Sequence, residues 1–107
     1  MRKLLAIVAL TSIAATLTQS VAAQGQTHRV KMERVTFEPA GVRVRVGDTL
    51  EWDNSDFVAH TATSKEAGFD VNVLPGRQGS AVVKAAGTFS YLCRYHPNMK
   101  GQIIVEP

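Results

Sequence analysis

The sequence contains one cysteine, three histidines and no uninterrupted apolar run long enough for a bilayer core. Each scarcity excludes something. A lone cysteine, Cys93, cannot form an internal disulfide, so a small chain must be held by a packed core, a metal, or both. It also excludes a lipid anchor on a processed N-terminal cysteine. Three histidines, His28, His60 and His96, are too few for several separate histidine-built metal centres, so the chain is not expected to be an enzyme. With 107 residues there is room for one domain.

The N-terminus has a recognisable order. Met1-Arg2-Lys3 is followed by the apolar run from Leu4 to Leu10, a weaker stretch through Leu17, and the small-residue exit Val21-Ala22-Ala23. A positive start, a short apolar middle and a small-residue exit describe a secretory signal peptide, with cleavage expected after Ala23. Thr11, Ser12, Thr16 and Thr18 interrupt the segment too often for a membrane span, so no stable membrane insertion is expected once the signal is gone. Residues 1–23 are thus read as the signal and 24–107 as the domain. Losing Arg2 and Lys3 leaves ten of the twelve basic residues against nine acidic ones, a net charge of +1, which gives no reason to expect nucleic-acid binding.

The mature segment reads as short strands. No stretch has the three-and-four spacing of an amphipathic helix. His28 to Phe37 alternates, with a slip across Glu33-Arg34 that suggests a bulge or a strand break. Val42 to Val46 alternates valine with arginine, placing the valines on the core. Thr49 to Asp53 puts Leu50 and Trp52 on one face, and Val58 to Thr63, Ser80 to Lys84, Thr88 to Cys93 and Gln102 to Val105 complete the set. Lys65 to Gly79, with Gly68, Pro75, Gly76 and Gly79, reads as irregular. Many short strands with frequent turns predict an all-β sandwich or barrel.

The informative segment is Cys93-Arg94-Tyr95-His96-Pro97-Asn98-Met99. It places a thiolate, an imidazole and a thioether at i, i+3 and i+6. Phe89, Tyr91 and Cys93 share one face of their strand, so the thiol points inward. Singly, each of these residues is an ordinary core or surface residue. Together in one turn-rich loop they have no packing rationale, and a thiolate, two imidazoles and a long axial thioether make a type 1 copper centre. That centre needs a second histidine, and the candidates are His28, near the N-terminal end of the domain, and His60, eight residues after Trp52. Position favours His60. A zinc site would give Met99 no purpose.

With Trp52 and His60 upstream, Ala59-His60-Thr61-Ala62-Thr63 and Gly87-Thr88-Phe89-Ser90-Tyr91-Leu92-Cys93 around them, and Lys100-Gly101 after the loop, residues 28–106 resemble the cupredoxins, the type 1 blue copper proteins. The short ligand loop is most similar to that of the amicyanin, pseudoazurin and plastocyanin-like members. The resemblance implies a Greek-key β-sandwich of about eight strands and one copper ion cycling between Cu(I) and Cu(II). It implies Cys93 as dominant ligand, His60 and His96 as equatorial ligands and Met99 as the axial one. It further implies a periplasmic, monomeric carrier passing single electrons between redox proteins of the cytochrome, dehydrogenase or oxidase type, which dock near His96. A copper carrier or storage protein would use the same ligands and is the rival reading.

Two positions depart from the family pattern. Thr61 stands where many relatives have an asparagine joining the two ligand loops. Tyr95 stands where amicyanin-like loops have proline, and keeps a backbone N–H that could donate to the Cys93 sulfur.

Overall fold

A computed structural model describes residues 2–16 and 25–107. The expected cleavage point after Ala23 lies outside the described residues. Residues 2–16 form no regular secondary structure, and Leu4, Leu5, Ile7, Leu10 and Ile13 are exposed. Among the described residues no helix is long and apolar enough to cross a membrane.

The rest is β-structure. The strands are β1 (Thr27–Glu33), β2 (Thr36–Glu38), β3 (Gly41–Arg45), β4 (Thr49–Asn54), β5 (His60–Ser64), β6 (Phe69–Val73), β7 (Gln78–Val82), β8 (Gly87–Leu92) and β9 (Lys100–Glu106). They form one sheet in the order β2-β1-β4-β7 and another in the order β3-β9-β8-β5-β6. The two parallel pairs are β1 with β4 and β3 with β9; the other pairs are antiparallel.

The period-two pattern explains the core. Val30 and Met32 on β1, Leu50 and Trp52 on β4, and Ile103 and Val105 on β9 are buried while their neighbours turn outward. Burying a large apolar side chain contributes roughly 1.5–3 kcal/mol, so these positions carry much of the stability. Phe37, Trp52, Phe69 and Tyr91 form an aromatic cluster, with ring centroids 4.5 Å apart for Phe37–Tyr91 and 5.2 Å for Trp52–Phe69. Burial pushes the Tyr91 hydroxyl up to about 12, although the indole N–H of Trp52 donates to it over 3.4 Å. Gly101 sits under this ring: a Cβ there would lie 2.4 Å from Tyr91 Cζ. Close approach, rather than turning, is why glycine occupies this β9 position.

Three details differ from the sequence reading. The stretch expected to be irregular from Lys65 to Gly79 contains β6, and its Phe69 and Val73 join the core. The slip across Glu33-Arg34 is a full reversal: Glu33 pairs with Thr36, and Arg34 and Val35 form a two-residue hairpin turn with φ of 53° and 58°. Val42 and Val44 face inward as expected, but Val46 lies past the end of β3 and is half-exposed.

Strand directions gather function at one pole. The ends of β1, β4, β6 and β8 meet the starts of β2, β5, β7 and β9 there. The loops bearing Val35, Asp56, Leu74 and His96 therefore lie together at that end.

Candidate metal centre

Two segments build the centre. His60 opens β5 and is fully buried. Cys93 follows β8, also fully buried, and starts the loop that returns to β9. That loop is closed by its own backbone: the Cys93 N–H donates to the Met99 carbonyl at 3.0 Å and the Met99 N–H to the His96 carbonyl at 2.8 Å. These bonds turn the chain back over the thiol. Met99 is buried within the core cluster and His96 is half-buried at the surface.

Cys93 Sγ lies 3.8 Å from His60 Nδ1 and 3.6 Å from His96 Nδ1. The ligand atoms of the three residues all fall within 4.8 Å of one another. A first-row cation about 2.0–2.3 Å from each donor, in a roughly trigonal plane, needs nitrogen and sulfur about 3.7 Å apart. The observed spacing meets that requirement. A single cation can accept lone pairs from the sulfur and both Nδ1 atoms at once, whereas without one the contacts depend on the thiol proton and the imidazole tautomers. A thiolate and two imidazole nitrogens fit a type 1 copper centre, and the chemistry of the donors favours copper over a hard cation.

The orientation of His60 comes from Asp56, in the loop between β4 and β5. His60 Nε2 lies 2.6 Å from Asp56 Oδ2. A carboxylate only accepts, so the ring proton sits on Nε2 and the Nδ1 lone pair is presented to Cys93. Asp56 also accepts from the N–H groups of Arg34 and Val35, at 2.8 and 3.0 Å. Partial burial pushes its carboxyl up, but the Val35 N–H, His60 and the Arg34 N–H together outweigh this and hold it below the usual carboxylate range. Buried Asn54 shapes the loop: its Oδ1 accepts from the Asp56 N–H, and its Nδ2 donates to the carbonyls of Val58 and Val73. The sequence signal was present only as Asn-Ser-Asp after a strand, which is indistinguishable from a solvated turn.

The sulfur has one backbone donor among the described residues. It is the N–H of Thr61, at 3.3 Å, and not that of Tyr95. The Thr61 hydroxyl accepts from the Arg94 N–H at 2.8 Å, so this single side chain joins the two ligand segments. Tyr95 leans the other way, donating its hydroxyl to Asn72 Oδ1 at 3.1 Å. His28 is not part of the cluster. It pairs with Asp48 at 2.8 Å, in a pocket shared with Gln26 and Arg45. His60 is therefore the histidine that the fold brings to Cys93 and His96.

A cupredoxin-like domain model matches residues 4–105. Amicyanin-alpha of Methylorubrum extorquens is 32% identical over 83 residues, spanning 72% of this chain and 70% of that protein. Amicyanin of Paracoccus denitrificans is 28% identical over 92 residues, spanning 72% of this chain and 63% of its own length. Plastocyanin of Scenedesmus fuscus is 31% identical over 86 residues, spanning 67% and 88%. Among solved structures, the Cu(I) form of an amicyanin variant superposes with a TM-score of 0.67 at 28% identity, covering 79% of this chain and 86% of that one. The matching family model, the relatives and the two-sheet fold agree: the chain belongs to the cupredoxin-like family.

Proposed function

We propose that the chain is an exported type 1 copper protein that carries single electrons between redox proteins, with His60, Cys93 and His96 as equatorial ligands and Met99 as the axial one. The observation that carries this reading is the convergence of the Cys93 sulfur and two imidazole Nδ1 atoms at 3.6–3.8 Å, with two of the three residues fully buried. Copper bound there would alternate between Cu(I) and Cu(II), which is one-electron chemistry.

The residues supply rigidity and a path. Asp56 holds the His60 ring, the Thr61 N–H holds the Cys93 sulfur, and the Cys93–Met99 backbone bond holds the loop, so little needs to move as charge changes. His96 reaches the surface beside Val35, Tyr95 and Pro97. Phe57, Val58 and Leu74 are exposed on loops at the same pole. An apolar surface around a ligand that reaches solvent suits transient docking of a redox partner, with His96 as the point of electron exit. The half-buried imidazole shortens the path; the buried one stays protected.

Export rests on the signal pattern of residues 1–23 and on the exposed, unstructured apolar residues from Leu4 to Ile13. The domain then comprises residues 24–107 and works in the periplasm as a monomer. Stopped-flow reduction and reoxidation of copper-loaded residues 24–107 tests the carrier role. Fast, repeatable cycling with the metal retained is expected. Slow cycling with loss of copper to a chelator would instead assign the chain to copper carriage or storage.

A further inference from the structure

Four side chains on β5 and β6 share the sheet face opposite Ala62, with Thr61 fully buried on it. Thr61 and Thr63 alternate with core-facing Ala62, and across the ladder Thr63 pairs with Asp70 and Thr61 with Asn72. Arg94 and Tyr95, the two residues that follow Cys93, lie over this face. The Arg94 Nε–H donates to Asp70 Oδ1 at 3.1 Å, and the Tyr95 hydroxyl donates to Asn72. The Arg94 guanidinium also stands 5.5 Å from the Tyr95 ring centroid.

The hydrogen bonds run in one direction only. Thr63 Oγ1 lies 2.8 Å from Asp70 Oδ1, and a carboxylate has no proton to give, so Thr63 spends its single hydroxyl proton there. The contact of 2.9 Å between the Thr61 and Thr63 hydroxyls must then use the Thr61 proton. With its proton committed, Thr61 Oγ1 turns a lone pair to the Arg94 N–H. The chain starts at the residue after Cys93, passes through the residue after His60, and ends on a carboxylate that Arg94 itself holds. Each step polarises the next.

We propose that Thr63 and Asp70 are positioning residues for the copper site, fixing the hydroxyl direction that lets Thr61 clamp Arg94 while its own N–H stays on the Cys93 sulfur. This rests on the copper reading above. A hydroxyl that could point either way is thereby given one orientation by a remote carboxylate. Donors on the thiolate favour the reduced site, so loosening the clamp shifts preference away from Cu(I).

Thr63→Val removes the relay without changing side-chain shape, and Thr63→Ser restores the hydroxyl. In metal-free protein, hydrogen exchange at the Arg94 amide is expected to be several-fold faster in Thr63→Val and to return toward wild type in Thr63→Ser. In copper-loaded protein, Thr63→Val is expected to shift the thiolate-to-copper bands and lower the reduction potential, with Thr63→Ser again reversing both. Unchanged exchange in folded Thr63→Val would overturn the relay. Faster exchange with an unchanged spectrum and potential would overturn the positioning role. A wild-type protein that stays colourless with Cu(II) would refute the copper reading itself, and the positioning role with it.

Discussion

Asp56 Oδ2 lies 2.6 Å from His60 Nε2, and the histidine it orients is fully buried. The same carboxylate receives the N–H groups of Arg34 and Val35, so one side chain couples the β1–β2 turn to the metal centre. Replacing it with alanine frees the ring to choose its tautomer and leaves two turn N–H groups without their acceptor. Loss of such an orienting partner typically weakens metal binding about 10–100-fold. Competitive copper titration of Asp56→Ala should show a loss in that range, and affinity equal to wild type would count against the orienting role.

The turn that Asp56 holds is strained. Val35 has φ of 58°, a left-handed conformation that a β-branched side chain disfavours, and Arg34 has φ of 53°. Asn-Gly suits a two-residue turn of this type. The double change Arg34→Asn with Val35→Gly should therefore stabilise metal-free protein by about 1 kcal/mol, or raise Tm by roughly 4–8 °C for a domain of this size. Thermal unfolding checks it; a lower Tm would mean that Val35 contributes packing that outweighs the strain.

At the opposite pole, the N–H of Arg45, His28 and the N–H of Gln26 converge on Asp48 and lower its pKa from 3.8 to about 2. A carboxyl depressed in the folded state stabilises the fold above its unfolded pKa and loses that contribution as pH falls through the folded one. Stability should drop as pH falls from near 3.8 toward 2. Asp48→Asn should be less stable at neutral pH and show a flatter decline across that window. Denaturant unfolding of both proteins at several acidic pH values makes the comparison, and parallel curves would contradict it.

Gly101 is expected to resist enlargement. An alanine Cβ would meet three atoms of the buried Tyr91 side chain, two in the ring and the hydroxyl oxygen, at 2.4–2.6 Å. Overpacking of this kind costs about 1–3 kcal/mol, because the ring is rigid and packs against Phe37, Trp52 and Phe69. Chemical denaturation of Gly101→Ala should show that loss. An unchanged midpoint would mean that the aromatic cluster yields more easily than its packing suggests.

The grouping of Cys93 with His96 was legible in the sequence because it is local: a thiol, an imidazole and a thioether stand in one short loop, and the fold brings the first two together with His60. Position in the sequence already favoured His60 over His28, and the fold brings His60, not His28, to Cys93 and His96. Strand β6 carries the period-two pattern of Phe69, Val71 and Val73 against Asp70 and Asn72, but Gly68, Pro75, Gly76 and Gly79 around it make the stretch read as a loop. Asp56, Thr63 and Asp70 were not legible at all. A carboxylate or hydroxyl acquires its role from what long-range pairing places beside it, and nothing in its immediate neighbours distinguishes it from a solvated residue.

The central claim is that the fold arranges His60, Cys93, His96 and Met99 as one copper site. The most direct measurement is the visible spectrum of purified residues 24–107 titrated with Cu(II), beside Cys93→Ser. An intense blue absorption that saturates at one copper per chain, bleaches on reduction, and is absent in Cys93→Ser is the expected result. A colourless wild-type protein, or a blue Cys93→Ser, would contradict it.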